Sequence, residues 1–225
     1  MNYTELSARI QAYAENTFPA SAGDLTSAEQ IATFVQQAEE RIYNSVQIPA
    51  LRRNVTGTLT SGNQYLSCPD DFLSVFSLAI IDSNGNYEYL LNKDVNFIRQ
   101  AYPSPASIGI PRYYALFGPQ YSAQTELSFI LGPTPNDFYT AELHYFYYPE
   151  SIVTAGNTWL GDNYSPILLY GALREVNIYT RAEPDMMAAI DAKFNEAFQQ
   201  LNRLGTGLER GDAYRDGQAK IKVNP

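Results

Sequence analysis

His144 is the only histidine in the chain, and it sits in the aromatic run Glu142-Leu143-His144-Tyr145-Phe146-Tyr147-Tyr148. An imidazole is the side chain best suited to move protons near neutral pH. Hydrolysis would further require a nucleophile and an orienting group around it, and the acids to test are Asp70 and Asp71. Adjacent residues of an extended segment point apart, however, and after Pro69 this pair reads as a turn or a cap. On a strand, His144, Phe146 and Tyr148 would share one face, and a structural imidazole is the reading we expect. Cys68 is the single cysteine. It has no Lys, Arg or His beside it in sequence to lower its pKa, so a small buried hydrophobe is expected. One cysteine can form no intrachain disulfide, and the Cys pairs of a structural zinc site are missing.

Asp82-Ser83-Asn84-Gly85-Asn86 has the oxygen-rich look of a calcium loop, but the position that should carry the bidentate glutamate is Lys93, so a hairpin turn is expected. The glycine loops at 156–161 and 205–207 lack GxGxxG and the Walker lysine, leaving phosphate binding unsupported. Trp159 could stack on a sugar or base, but packing near a helix entry is the better account. No catalytic, cofactor-binding or metal-ligating residue is therefore expected.

The elements that would position these residues change period twice. Residues 2–16 place Leu6, Ile10, Tyr13 and Ala14 at helical spacing, with Thr4 as a candidate N-cap. Thr26 or Ser27 can cap a second helix, with Glu29 in its first turn. Its apolar stripe is Ile31, Phe34, Val35, Ala38, Ile42 and Val46, with Gln36, Gln37, Glu39, Glu40 and Arg41 elsewhere, and Ile48-Pro49 stops it. From residue 51 to about residue 149 the period is two. Runs 54–60 and 64–67 flank Ser61-Gly62-Asn63, and runs 74–82 and 87–91 flank residues 83–86, each reading as a hairpin. A short helix is expected over 92–101, then strands over 112–117, 125–131 and 139–148, together a small sandwich or open barrel. Helical spacing returns with Ser165-Pro166, and a last helix opens at Asp185 and closes before Gly205.

The expected fold is α+β: a discontinuous helical bundle from residues 1–50 and 150–204, a central β-sandwich or barrel-like insertion over 51–149, and an extended C-terminal tail over 205–225. That tail has few large apolar residues and cannot bury enough surface to fold alone. The chain has 225 residues, of which 45% are hydrophobic, enough for a sizeable core. Charged residues are only 17%, while 18 Tyr and 11 Phe contribute to 13% aromatic content. Such tyrosines suit protein–protein contact and equally suit strands. The net charge of −9 argues against gripping nucleic acid or an anionic membrane, because both need clustered cations. No run approaches the roughly 20 apolar residues of a membrane span, and Met1 is not followed by a signal-peptide pattern, so the chain is expected to be cytosolic where it is made.

Four segments, taken in order, resemble the head-to-tail adaptor proteins of tailed bacteriophages. They are Cys68-Pro69-Asp70-Asp71-Phe72-Leu73-Ser74-Val75, Gly109-Ile110-Pro111-Arg112-Tyr113-Tyr114-Ala115-Leu116-Phe117-Gly118, Leu143-His144-Tyr145-Phe146-Tyr147-Tyr148-Pro149-Glu150, and Ser165-Pro166-Ile167-Leu168-Leu169-Tyr170-Gly171-Ala172-Leu173-Arg174-Glu175. The likeness covers most of residues 1–205, and it departs at Cys68, where such proteins look leucine-like. It implies a non-enzymatic virion protein of the neck, without cofactors. Its implied partners are copies of itself in a dodecameric ring, the portal protein above, and tail nozzle, tube or fibre proteins below. Genomic DNA would pass through unbound, and no membrane is involved. Within that reading the C-terminal segment is the docking arm, with Arg210, Tyr214, Arg215, Lys220, Ile221, Lys222 and Val223 as candidate partner-binding residues. The alternative reading of the Tyr-rich β segment is a tail-associated module that recognises carbohydrate or protein.

Overall fold

A computed structural model describes residues 1–20, 25–120 and 126–210. The chain divides into two compact units, one built from Met1–Ala50 and Pro149–Pro225 and the other from Leu51–Tyr148. The helices in chain order are α1 (Tyr3–Ala14), α2 (Ser27–Ser45), α3 (Val95–Ala101), α4 (Ile152–Ala155), α5 (Trp159–Asn163), α6 (Ser165–Thr180) and α7 (Pro184–Arg210). All except α3 belong to the first unit.

In the helical unit, local chemistry sets the starts and packing sets the rest. The cap of α1 is Asn2 rather than Thr4: its side chain accepts from the Glu5 N–H at 2.9 Å, and the Glu5 carboxylate accepts from the Asn2 N–H at 3.3 Å. Starting two residues earlier satisfies two otherwise orphaned donors reciprocally. Thr26 and Glu29 form the same box at α2. Helix α6 is central, packing against α1, α2, α5 and α7 through Ile167, Leu168, Ala172, Leu173 and Val176. Gly171 lets α2 and α6 approach closely, since a Cβ there would lie 3.0 Å from Ala38 Cβ and 3.4 Å from the Phe194 ring.

Helix α7 does not close before Gly205 but continues to Arg210, so the described start of the expected tail is helical. Gly205 is buried, and a Cβ there would come within 3.5 Å of the Gln47 carbonyl. The helix passes beside the backbone that follows α2, and Gly205 stays helical there despite the roughly 1 kcal/mol helix penalty of glycine.

The second unit holds β1 (Arg52–Leu59), β2 (Tyr65–Ser67), β3 (Phe72–Ile81), β4 (Tyr87–Tyr89), β5 (Leu91–Asn92), β6 (Ile108–Gly109), β7 (Tyr113–Gly118), β8 (Ser128–Gly132), β9 (Thr134–Pro135) and β10 (Tyr139–Tyr147). One sheet runs β1-β10-β3-β4 and a second β2-β8-β7-β5, with β6 and β9 paired separately. Between the two four-stranded sheets lie Leu59, Cys68, Leu78, Ile80, Leu90, Tyr114, Phe129, Leu131, Ala141, Leu143 and Tyr145. Helix α3, capped by Asp94, covers the other face of the second sheet through Ile98 against Ala115 and Ile130.

The fold is thus α+β, with terminal helices packed together and the strands between them in sequence. The hairpin expected around residues 83–86 forms as β3–β4. The one expected around residues 61–63 does not: β1 pairs with β10 and β2 with β8, in different sheets. The Gly62 N–H donates to the Pro135 carbonyl at 2.9 Å, and the connection crosses between the layers instead of folding back.

Candidate docking surfaces

The groups that could have done chemistry are occupied by structural tasks. His144 lies on the solvent side of β10, with Nε2 3.2 Å from a Glu142 carboxylate oxygen. Asn54 donates to that same carboxylate at 2.5 Å. Hydrogen bonds from Asn54 and Tyr87, and then the neighbouring imidazole, hold the Glu142 carboxyl below the usual carboxylate range. Asp71 is engaged elsewhere: its carboxylate meets the Arg53 guanidinium at 2.6 Å and accepts from the Tyr145 hydroxyl at 2.8 Å. Burial, reinforced by Asp71, pushes the Tyr145 phenol up to about 12. No hydrogen bond or ion pair joins His144 to Asp70 or Asp71, so the structure does not bring these candidates together.

Phe146 lies on the same face of β10 as His144, opposite Arg52 where His144 is opposite Asn54, but it is buried. Irregular register at His144/Tyr145 and Phe146/Tyr147 sets it beside Phe76, and the Arg52 guanidinium stacks over both rings. Cys68 is buried, and desolvation pushes its thiol up to about 12, a packing role as expected.

The Asp82 carboxylate accepts from the Asn84 and Asn86 N–H groups, each at 2.8 Å, and from the Asn86 amide at 3.0 Å. These bonds close a hairpin turn and lower the Asp82 pKa. The carboxylate is therefore engaged by donors of its own loop. Among the described residues, no group of three His, Cys, Asp or Glu side chains could hold a metal ion, and no helix is long and apolar enough to cross a membrane. Trp159 opens α5, half-buried.

One buried acid was missed by the helical pattern. Glu39, placed by periodicity off the apolar stripe of α2, is only 3% exposed. Its carboxylate accepts from the Ser151 hydroxyl at 2.5 Å and from the Ile152 N–H at 3.0 Å, capping α4 from a residue more than a hundred positions away. Burial raises its pKa, with the two hydrogen bonds opposing the shift. No local signal could reveal it, because the donors belong to a segment beyond the β insertion.

Two apolar surfaces among the described residues are open to a partner. On the helical unit, a cavity of about 300 Å³ between α2 and α6 is lined by Leu25, Phe34, Ile178 and Tyr179 among others, with Ile178 and Tyr179 exposed. On the β unit, β1 ends its sheet as an edge strand and is exposed along most of its length. Beside it lies an apolar cleft of about 250 Å³. Of the expected docking residues, Arg210 is the last residue of α7, with its side chain outside the described set. Tyr214, Arg215, Lys220, Ile221, Lys222 and Val223 also lie outside the described residues.

A helical unit interrupted in sequence by a β unit of two four-stranded sheets and a short third one defines a protein of mixed α+β class. A family model described as SU10 adaptor protein matches residues 1–220. The chain belongs to the SU10 adaptor protein family, the head-to-tail adaptors of tailed phages that its ordered segments resemble. This is a family of structural adaptors, for which no catalytic role is indicated. No curated protein matches the chain.

Proposed function

We propose that this chain is one subunit of a homo-oligomeric ring, a dodecamer, that joins the portal to the tail in the virion neck and lines the channel through which DNA leaves. The observation that carries this reading is the family match over residues 1–220, which spans both compact units rather than one borrowed domain. The net charge of −9 supports it, since an anionic channel wall repels phosphate and lets DNA slide. Portal and tail nozzle, tube or fibre proteins are the partners above and below. The C-terminal segment with Arg210, Tyr214, Arg215, Lys220, Ile221, Lys222 and Val223 supplies the docking arm, and many identical arms engaging together offset the entropy of ordering each one.

Sedimentation of the full chain with and without portal particles tests this. A complex of portal with twelve copies is expected. A chain that stays monomeric and leaves portal particles bare would overturn the reading.

A further inference from the structure

The edge of β1 is built to receive another strand. Its eight residues (Arg52–Leu59) pair on one side with β10, in unbroken register from Arg52↔Phe146 to Leu59↔Tyr139. As the terminal strand of its sheet, β1 presents alternate N–H and C=O groups outward, and such an edge is a template for strand addition. Proteins usually blunt long edges with proline, bulges or inward charges. Over residues 54–58 β1 has no proline, charge or register shift.

The inward face of β1 is set by its partners. Val55 lies opposite Leu143 and Gly57 opposite Ala141, and both of those β10 residues are core. Val55 is nevertheless 39% exposed. The cleft beside it is lined by Val55, Gly57, Leu66, Cys68, Ala141 and Leu143 among others. It lies between β1 and β2, the edge strands of the two sheets, so this side of the sandwich is open. An incoming strand would lay alternate apolar side chains over the cleft and turn the intervening ones toward solvent. There Asn54, Thr56 and Glu142 form a polar, acidic face.

Residues 220–223, Lys-Ile-Lys-Val, have that alternation. With Tyr214 they include the only large apolar side chains of residues 211–225. Residues 217–225 carry two lysines and no acidic side chain, whereas residues 51–148 carry eight acids against five bases, a net of −3. Nine residues separate the end of α7 from Lys220, a reach of about 35 Å when extended.

We propose that residues 220–223 of one copy add as a strand to the β1 edge of a neighbouring copy, with Ile221 and Val223 over the cleft and Lys220 and Lys222 on the acidic outer face. This rests on the ring reading, in which each copy offers one edge and one arm, a head-to-tail arrangement that closes in a ring. The docking arm is thereby divided: Lys220, Ile221, Lys222 and Val223 meet the neighbouring copy of the ring, and Arg210, Tyr214 and Arg215 are left for the portal.

Face-specific cross-linking tests it in the full chain with Cys68→Ala. Copies carrying Val55→Cys are mixed with copies carrying Ile221→Cys, Val223→Cys or Lys222→Cys, assembled on portal particles, oxidised and run on non-reducing gels. Opposed strand residues are close enough for a disulfide. Linked dimers are expected with Ile221→Cys or Val223→Cys at about tenfold or more over Lys222→Cys and over a Ser83→Cys control in place of Val55→Cys, reflecting effective concentration at the edge. Equal yields from the three arm positions, or no linked dimer, overturns the proposal. So does a Val55→Cys/Ile221→Cys double variant that links only within its own chain. Sedimentation run alongside separates the two ideas: particles that assemble without the link remove the strand addition and leave the ring.

Discussion

Replacing Glu39 tests whether the helical unit is held together by a buried carboxylate that reaches across the β insertion in sequence. In Glu39→Ala the Ile152 N–H and the Ser151 hydroxyl lose their acceptor. Ser151 can turn toward other partners, since its oxygen already accepts from the Val153 N–H at 3.2 Å, but the Ile152 N–H cannot, because Ile152 is fully buried. An orphaned buried donor costs about 1–3 kcal/mol, and the lost methylene and its cavity add about 1 kcal/mol. A destabilisation of about 2–4 kcal/mol is expected. Glu39→Gln keeps one carbonyl oxygen for Ile152 and an amide that can donate to Ser151, so its cost at neutral pH should stay within about 1 kcal/mol.

The two variants also differ in pH dependence. The raised pKa of Glu39 in the folded state means that the fold binds its proton more tightly than the unfolded chain does. This contribution is fully present below the unfolded carboxylate pKa and is lost as pH rises through the folded value. Glu39→Gln should remove that slope, becoming more favourable relative to the parent as pH increases across the window. Urea unfolding followed by fluorescence of Trp159, the single tryptophan, reads the helical unit directly. A Glu39→Ala loss under about 1 kcal/mol, or a Glu39→Gln loss equal to it, would refute the capping argument.

Gly171→Ala gains up to about 1 kcal/mol of helix propensity but forces a methyl to 3.0 Å from Ala38 Cβ, an overpacking worth about 1–3 kcal/mol. A lower Tm is therefore expected, and a Tm at or above the parent's would show that α2 and α6 can separate freely. Cys68, buried and with its thiol pushed up to about 12, should resist thiol reagents at pH 8 until denaturant is added, and rapid labelling of the native protein would count against its place in the core. Truncation after Arg210 should leave the thermal transition unchanged while weakening assembly. Truncation after Leu204 should lower the Tm, because it removes Gly205 from its contact with the end of α2; equal transitions for the two would overturn the account of α7.

What the sequence determined on its own was local or ordered along the chain. The capping of α2 near Thr26 with Glu29 in its first turn, the Asp82 turn and the fate of Cys68 depend on neighbours within a few residues and on polarity. The same holds for the changes of period near residues 50 and 149, which lie beside the boundaries of the two compact units. The order of the four quoted segments pointed to the family. Tertiary structure alone decided where distant groups meet. Residues 54–60 and 64–67 looked like one hairpin because their alternation is compatible with pairing, but strand partners are chosen by which faces bury together, and β10 offered Ala141, Leu143 and Tyr145 to β1. Glu39 looked like a solvated helix residue until α4 folded back on it. Gly205 looked like a stop because glycine propensity is local, whereas its contact with Gln47 is not. The edge position of β1 belongs to the same class: a strand can be read from alternation, but which strand ends the sheet among the described residues is decided only once the others have found their places.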